Sequence, residues 1–150
     1  MARANQSRPP ECPEEALFLE LLRTGDLLSR RPLQLLRAHD LSPNQYNVLR
    51  ILRGAPEGLL CGEIGRRMIT RDPDITRLLD RLEKRGLIRR CRASEDRRRV
   101  QTRITREGLA LLRRLDEPVR EMHRHQLGHL GEKRVRAITK QVRACHPDDE

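Results

Sequence analysis

The sequence has almost no aromatic residues: no Trp, one Phe and one Tyr in 150 residues. A core must therefore be built from Leu, Ile, Val, Ala and Met, a composition that favours helices packed on helices. The same lack argues against the usual RNA-binding modules, which stack bases on aromatic side chains. The four cysteines, Cys12, Cys61, Cys91 and Cys145, are scattered with no CxxC pair, so neither a disulfide framework nor a thiolate metal site is indicated. Long hydrophobic runs are also missing. Nothing reaches the roughly 18 apolar residues of a membrane span, and MARANQSRPPE lacks the apolar stretch of a signal peptide, so a cytoplasmic protein with no membrane partner is expected. Finally, no nucleophile and base, and no pair of carboxylates, stand together as an enzyme would need.

Positive charge is abundant and unevenly placed. Of the net +10, residues 41–105 carry 16 basic and 8 acidic side chains, hence +8. Residues 1–40 balance at 6 and 6, and residues 106–150 hold 10 and 8. A local excess of this kind marks a surface for a polyanion rather than a general solubility device. Its densest part is RRCRASEDRRRVQTRIT, residues 89–105, where Arg89, Arg90, Arg92, Arg97, Arg98 and Arg99 surround the acids Glu95 and Asp96.

Periodicity supplies the elements. Residues 1–13, with three prolines, read as a loose arm, and 146–150 as a tail. A helix begins at Glu14, with Leu17, Leu21, Leu22 and Leu28 on its apolar side, and Pro32 should bend or end it. LSPNQYNVLRIL, residues 41–52, is a helix start with Ser42 as N-cap, Pro43 at the first position, Gln45 closing a capping box, and Leu41 with Tyr46 as a staple. CGEIGRRMI predicts a short helix in which Gly65 makes room for a crossing helix. The next helix opens with Asp72 as N-cap and Pro73 at its first position, buries Ile75, Leu78, Leu79 and Leu82, and stops at Gly86. Two short strands follow, Leu87–Arg92 and Arg99–Ile104, joined by ASEDRR. A long helix starts at Thr105, with Leu109, Leu112, Leu115, Val119, Met122 and Leu127. A last one, over about 132–145, carries Val135, Ile138, Val142 and Cys145 at three- and four-residue spacing.

Three helices followed by a basic hairpin predict a mainly α winged helix-turn-helix over 41–105 that binds double-stranded DNA, with the arginines of the wing, Arg90, Arg92, Arg97, Arg98 and Arg99, laid on phosphates. Asp96 reads as a clamp for neighbouring arginines. At the start of the fourth helix, the recognition helix, Asp74, Thr76, Arg77 and Arg81 face outward. Arg77 suits a guanine edge, Asp74 a cytosine amino group and Thr76 a thymine methyl or a phosphate. The apolar stripes of the terminal helices exceed what one small layer can cover, so 14–40 and 106–145 predict a dimerisation layer through Leu17, Leu21, Leu112, Leu115, Val119, Met122, Val135, Ile138 and Val142. A winged-helix RNA-binding protein or a protein-interaction adaptor is the alternative.

From about Glu14 to Cys145 the sequence resembles the MarR family of bacterial transcription regulators. LSPNQYNVLRIL, DITRLLDRLEKRGLIRR and above all SEDRRRVQTRITREG carry the resemblance. Asp96 and Arg98 fall on the family's wing pair, Gly86 on the glycine ending the recognition helix, and Thr105 and Gly108 on the start of the long helix. The resemblance implies a homodimer with intertwined terminal helices, acting on a pseudo-palindromic operator as a repressor that a small-molecule effector can release. Family members tend to carry small hydroxyl residues where this chain has Asp72 and Asp74, and the alternative role for either is that of a helix cap alone. Some relatives sense metals or peroxides. Glu121, His125 and His129 share the spacing of a zinc-binding face, and Cys12 with Cys145 sits near the termini where redox pairs occur, but the sensing cysteine position falls on Leu17. The expectation is that the chain needs no cofactor.

Overall fold

The computed structural model describes residues 12–92 and 100–146. In order these form α1 (Pro13–Arg37), α2 (Pro43–Arg53), β1 (Leu59–Leu60), α3 (Cys61–Arg67), α4 (Ile75–Lys84), β2 (Ile88–Arg92), β3 (Val100–Ile104) and α5 (Arg106–Leu127). A 3₁₀ turn at Gly128–Leu130 leads into α6 (Glu132–Arg143). The strands make one antiparallel sheet in the order β1-β3-β2, with Leu59 opposite Thr102 and Arg90 on its other side. Strand β1 is absent from the sequence reading, because two residues are too few to show an alternation.

Helix α2 starts as its sequence dictates. Ser42 Oγ accepts from the Gln45 N–H at 3.1 Å, and Gln45 Oε1 accepts from the Ser42 N–H at 2.9 Å. Leu41 is buried before it and Tyr46 packs on the core behind it, completing the staple.

Helix α1 does not end at Pro32 but runs through it to Arg37. Proline cannot donate to the carbonyl four residues back, that of Leu28. In the fold Gln126 Nε2 of α5 donates to that oxygen at 3.0 Å, so the orphaned acceptor becomes a tie between the two helices. At its start, Cys12 caps α1, its Sγ accepting from the Glu15 N–H at 3.5 Å.

One apolar cluster joins Leu36 of α1 to Val48, Leu49 and Leu52 of α2, Ile64 of α3, Leu78, Leu79 and Leu82 of α4, Ile88 of β2, and Leu111, Leu112 and Leu115 of α5. Leu112 and Leu115, read from the sequence as dimer contacts, are fully buried in this core. The stripe of α5 is one in sequence but divided in space: Leu112 and Leu115 join the cluster with Val119 packed against it, and the part beyond Val119 lies outside it. Helix α6 has no buried residue, and α1 exposes Leu17, Phe18, Leu21, Leu22 and Leu27.

The join between α4, the sheet and α5 rests on three residues. Gly86 takes φ +69°, a conformation that favours glycine, and its carbonyl accepts from Thr105 Oγ1 at 2.7 Å. Thr105 Oγ1 in turn caps α5 by accepting from the Gly108 N–H at 3.1 Å. A Cβ at Gly108 would lie 2.3 Å from the Leu87 carbonyl oxygen, so only glycine lets the helix approach the chain this closely. Gly65 has no such reason: nothing lies within 4 Å of its Cβ position, and no crossing helix uses the space.

Candidate nucleic-acid interface

The N-cap of α4 is Asp74, not Asp72. Asp74 Oδ1 accepts from the Arg77 N–H at 3.1 Å, and Pro73 stands in the turn before the helix rather than in its first position. Asp72 instead anchors that turn. Its Oδ2 accepts from Asn44 Nδ2 at 2.8 Å and its Oδ1 from the Asp74 N–H at 3.0 Å. The Asn44 hydrogen bond, then that of the Asp74 amide, hold the Asp72 carboxyl below its ordinary value of 3.8, with the charge of Arg81 adding to them. Three residues earlier the Ile69 N–H donates to Asn47 Oδ1 at 3.0 Å. Asn44 and Asn47 lie three apart on α2, so one helix face pins both ends of the segment leading into α4.

Thr76, Arg77 and Arg81 are exposed on α4, as the sequence reading had them, while Ile75, Leu78, Leu79 and Leu82 face the core. The Arg77 side chain is 71% exposed, with its Nε 3.8 Å from Asp74 Oδ2, so Asp74 caps the helix and steadies Arg77 together. Arg66 and Arg67 in the last turn of α3, and Arg71 in the turn before α4, are exposed too and make no ion pair among the described residues.

Arg90 does not lie free on the wing. Its guanidinium pairs closely with Asp80, its Nε lies 3.6 Å from Glu83 Oε2, and its backbone N–H donates to Glu83 Oε1 at 2.9 Å. Two carboxylates one helical turn apart on α4 thus neutralise a three-quarters buried arginine on β2. Such an arginine orients the hairpin on the helix and has little charge left for phosphate. Asp96, Arg97, Arg98 and Arg99, and the side chain of Arg92, lie outside the described residues. The sequence reading missed Asn44, Asn47, Asp80 and Glu83. A signal existed in their pairing at i, i+3 beside the inward stripes, but it becomes specific only once partners from other elements are known.

Behind the recognition helix, a cleft of about 670 Å³ opens between the α1–α2 corner and α5, lined among others by His39, Arg85, Glu107, Arg113 and Arg114. Arg85 is committed to the corner, donating to the His39 carbonyl at 3.2 Å and to that of Asp40. The histidine and cysteine candidates do not assemble. His125 Nδ1 meets Arg31 Nη1 at 2.5 Å and His129 falls in the 3₁₀ turn, out of step with it. Among the described residues no three His, Cys, Asp or Glu side chains come together as metal ligands, and Cys12 and Cys145 are exposed free thiols. No helix among them is long and apolar enough to cross a membrane.

Comparison with known proteins agrees with this arrangement. The MarR family model matches residues 39–99. The HTH-type transcriptional regulator PecS of Dickeya dadantii is 33% identical over 128 residues, 83% of this chain and 77% of its own. A MarR transcription factor of Planctomyces limnophilus, 39% identical, superposes with a TM-score of 0.69 over 92% of this chain and all of its own. A mutant MarR of Escherichia coli, solved in complex with operator DNA, shares the fold at a TM-score of 0.79 and 22% identity, over 88% and 94% of the two chains. With its winged helix-turn-helix, its capped recognition helix and a relative of this identity and coverage, the chain belongs to the MarR family of transcription regulators.

Proposed function

We propose that the chain is a sequence-specific double-stranded DNA-binding regulator that acts as a homodimer on a pseudo-palindromic operator and represses transcription there. The observation that carries this reading is the set of exposed cations on the end of α3, the turn after it and α4, namely Arg66, Arg67, Arg71, Arg77 and Arg81, in the segment that holds most of the net charge. Thr76 and Arg77 are the base readers, with Arg81 beside them, and Arg92, Arg97, Arg98 and Arg99 of the wing meet phosphate, where release of condensed counterions supplies affinity. Arg90 braces the wing, and Asp74 serves as cap and support rather than as the cytosine reader of the sequence reading.

The dimer face comprises Leu17, Leu21, Met122, Val135, Ile138 and Val142, with the outer edge of Val119. These belong to α1, the outer part of α5 and α6, helices whose apolar side chains exceed what their own chain covers. The cleft beside Arg113 and Arg114 supports release by an anionic small molecule, since a ligand there touches both α5 and the corner that Arg85 holds.

A gel-shift titration on the promoter region of the chain's own gene, with RNA as competitor, tests the reading. Retardation that survives the RNA, and a footprint with two symmetric half-sites about one helical turn, ~10 base pairs, apart, are the expected results. Equal competition by RNA, or an unsymmetrical footprint, contradicts it.

A further inference from the structure

Ile69 stands in the turn between α3 and α4 and is 84% exposed, more than any other large apolar residue described. A single exposed aliphatic side chain is ordinary on a protein surface. Three features set this one apart. Its backbone N–H is fixed to Asn47 Oδ1 at 3.0 Å, and Met68 just before it is buried, so the side chain is held outward on an ordered turn. Asn44 pins the same turn three residues on, through Asp72, directly ahead of the α4 cap. And the residues around it, Arg66, Arg67 and Arg71, are exposed cations without an ion pair among the described residues.

An apolar tip flanked along the chain by exposed cations, on an ordered turn just before α4, fits a ligand that is a polyanion carrying an isolated apolar group. Duplex DNA presents one such group in its major groove, the C5 methyl of thymine. We infer that Ile69 is a specificity-determining residue that packs against a thymine methyl in each operator half-site, while the three arginines around it meet the flanking phosphates. The inference rests on the DNA-binding reading above and adds a base-reading residue outside α4.

Replacing single thymines by deoxyuridine removes only the methyl, so the contact can be located by anisotropy titration of the full-length chain on an operator duplex. At one symmetric thymine pair the wild-type protein should lose about fourfold in affinity per half-site, on the order of 15-fold for both, the value of one buried methyl each. Ile69→Ala should bind the thymine and deoxyuridine duplexes equally at that pair, and Ile69→Val should keep most of the discrimination. Wild-type affinity unchanged at every thymine, or Ile69→Ala retaining the full methyl preference, would overturn the inference while leaving the regulator reading intact. Failure to bind any duplex would overturn both, and the gel-shift titration detects that case separately.

Discussion

Residues 41–105 and the terminal helices treat their apolar side chains in opposite ways. In the middle of the chain, Val48, Leu49, Leu52, Ile64, Leu82 and Ile88 are shut off from solvent by elements of the same subunit, and cations occupy the outer surface. At the ends, Leu17, Phe18, Leu22 and Leu27 of α1 and Ile138 and Val142 of α6 stay open. The core of the first region is closed within one chain, with Leu36 of α1 and the first turns of α5 completing it, whereas these apolar side chains of the second lie open. Helix α5 spans both regimes: Leu111, Leu112 and Leu115 close the core, and from Met122 onward the helix serves the open layer.

The contrast is sharpest in what a lost side chain should cost. Leu52→Ala, in the core, should destabilise the chain by about 2 to 5 kcal/mol in urea titrations. Leu17→Ala should act through association, so its effect should shrink as protein concentration rises. A loss for Leu17→Ala as large as that for Leu52→Ala and insensitive to concentration would erase the distinction. Next in size, Gly108→Ala forces a methyl against the Leu87 carbonyl and should cost roughly 1 to 3 kcal/mol. Gly65→Ala, which meets no neighbour, should be neutral or stabilising by about 0.4 to 1 kcal/mol. Thermal unfolding should show a lowered midpoint for Gly108→Ala and no lowering for Gly65→Ala.

Within the cationic surface the arginines should differ in kind. Arg77→Ala should cost about 1 to 3 kcal/mol per base contact on the operator and little on random DNA. Arg98→Ala should weaken both and lower the salt slope by roughly 1 to 2 units for the dimer. Arg90→Ala should leave that slope unchanged and lower stability by roughly 1 kcal/mol, because it strips Asp80 and Glu83 of their shared partner. A salt slope altered by Arg90→Ala and untouched by Arg98→Ala would reverse the assignment of brace and phosphate contact.

The smallest effect is pH dependence. The folded state depresses the Asp72 pKa, so the carboxylate stabilises the turn at pH above its ordinary value of 3.8, and the contribution is lost as pH falls through the lowered value. The protection of the Asp74 amide, measured against the exchange rate of the unstructured chain at the same pH, should therefore fall on acidification in the wild type, and Asp72→Asn should flatten that dependence.

Much of this organisation is legible in the sequence where the determinants are local. Ser42, Pro43 and Gln45 specify the start of α2 within four residues, and Gly86 marks a helix end through its own backbone freedom. What escapes depends on partners far along the chain. Pro32 reads as a bend or an end of the helix until Gln126, 94 positions on, takes up the Leu28 carbonyl. Arg90 reads as one more wing cation until Asp80 and Glu83 face it. Asp72 reads as the cap because Pro73 follows it, whereas in the fold Asn44 holds Asp72 in the turn and Asp74 caps α4. Leu112 and Leu115 show the same limit: periodicity identifies an apolar face but not which neighbour covers it.

That a second copy of the chain covers the open face is the claim on which the whole arrangement turns, since a symmetric operator needs two recognition helices held at a fixed spacing. Sedimentation equilibrium of the purified protein at micromolar concentration tests it directly. A species of twice the 17.5 kDa chain, converted to monomer by polar substitutions at Leu17 and Ile138, is the predicted result. A stable monomer of 17.5 kDa that still binds the operator with full affinity would contradict it.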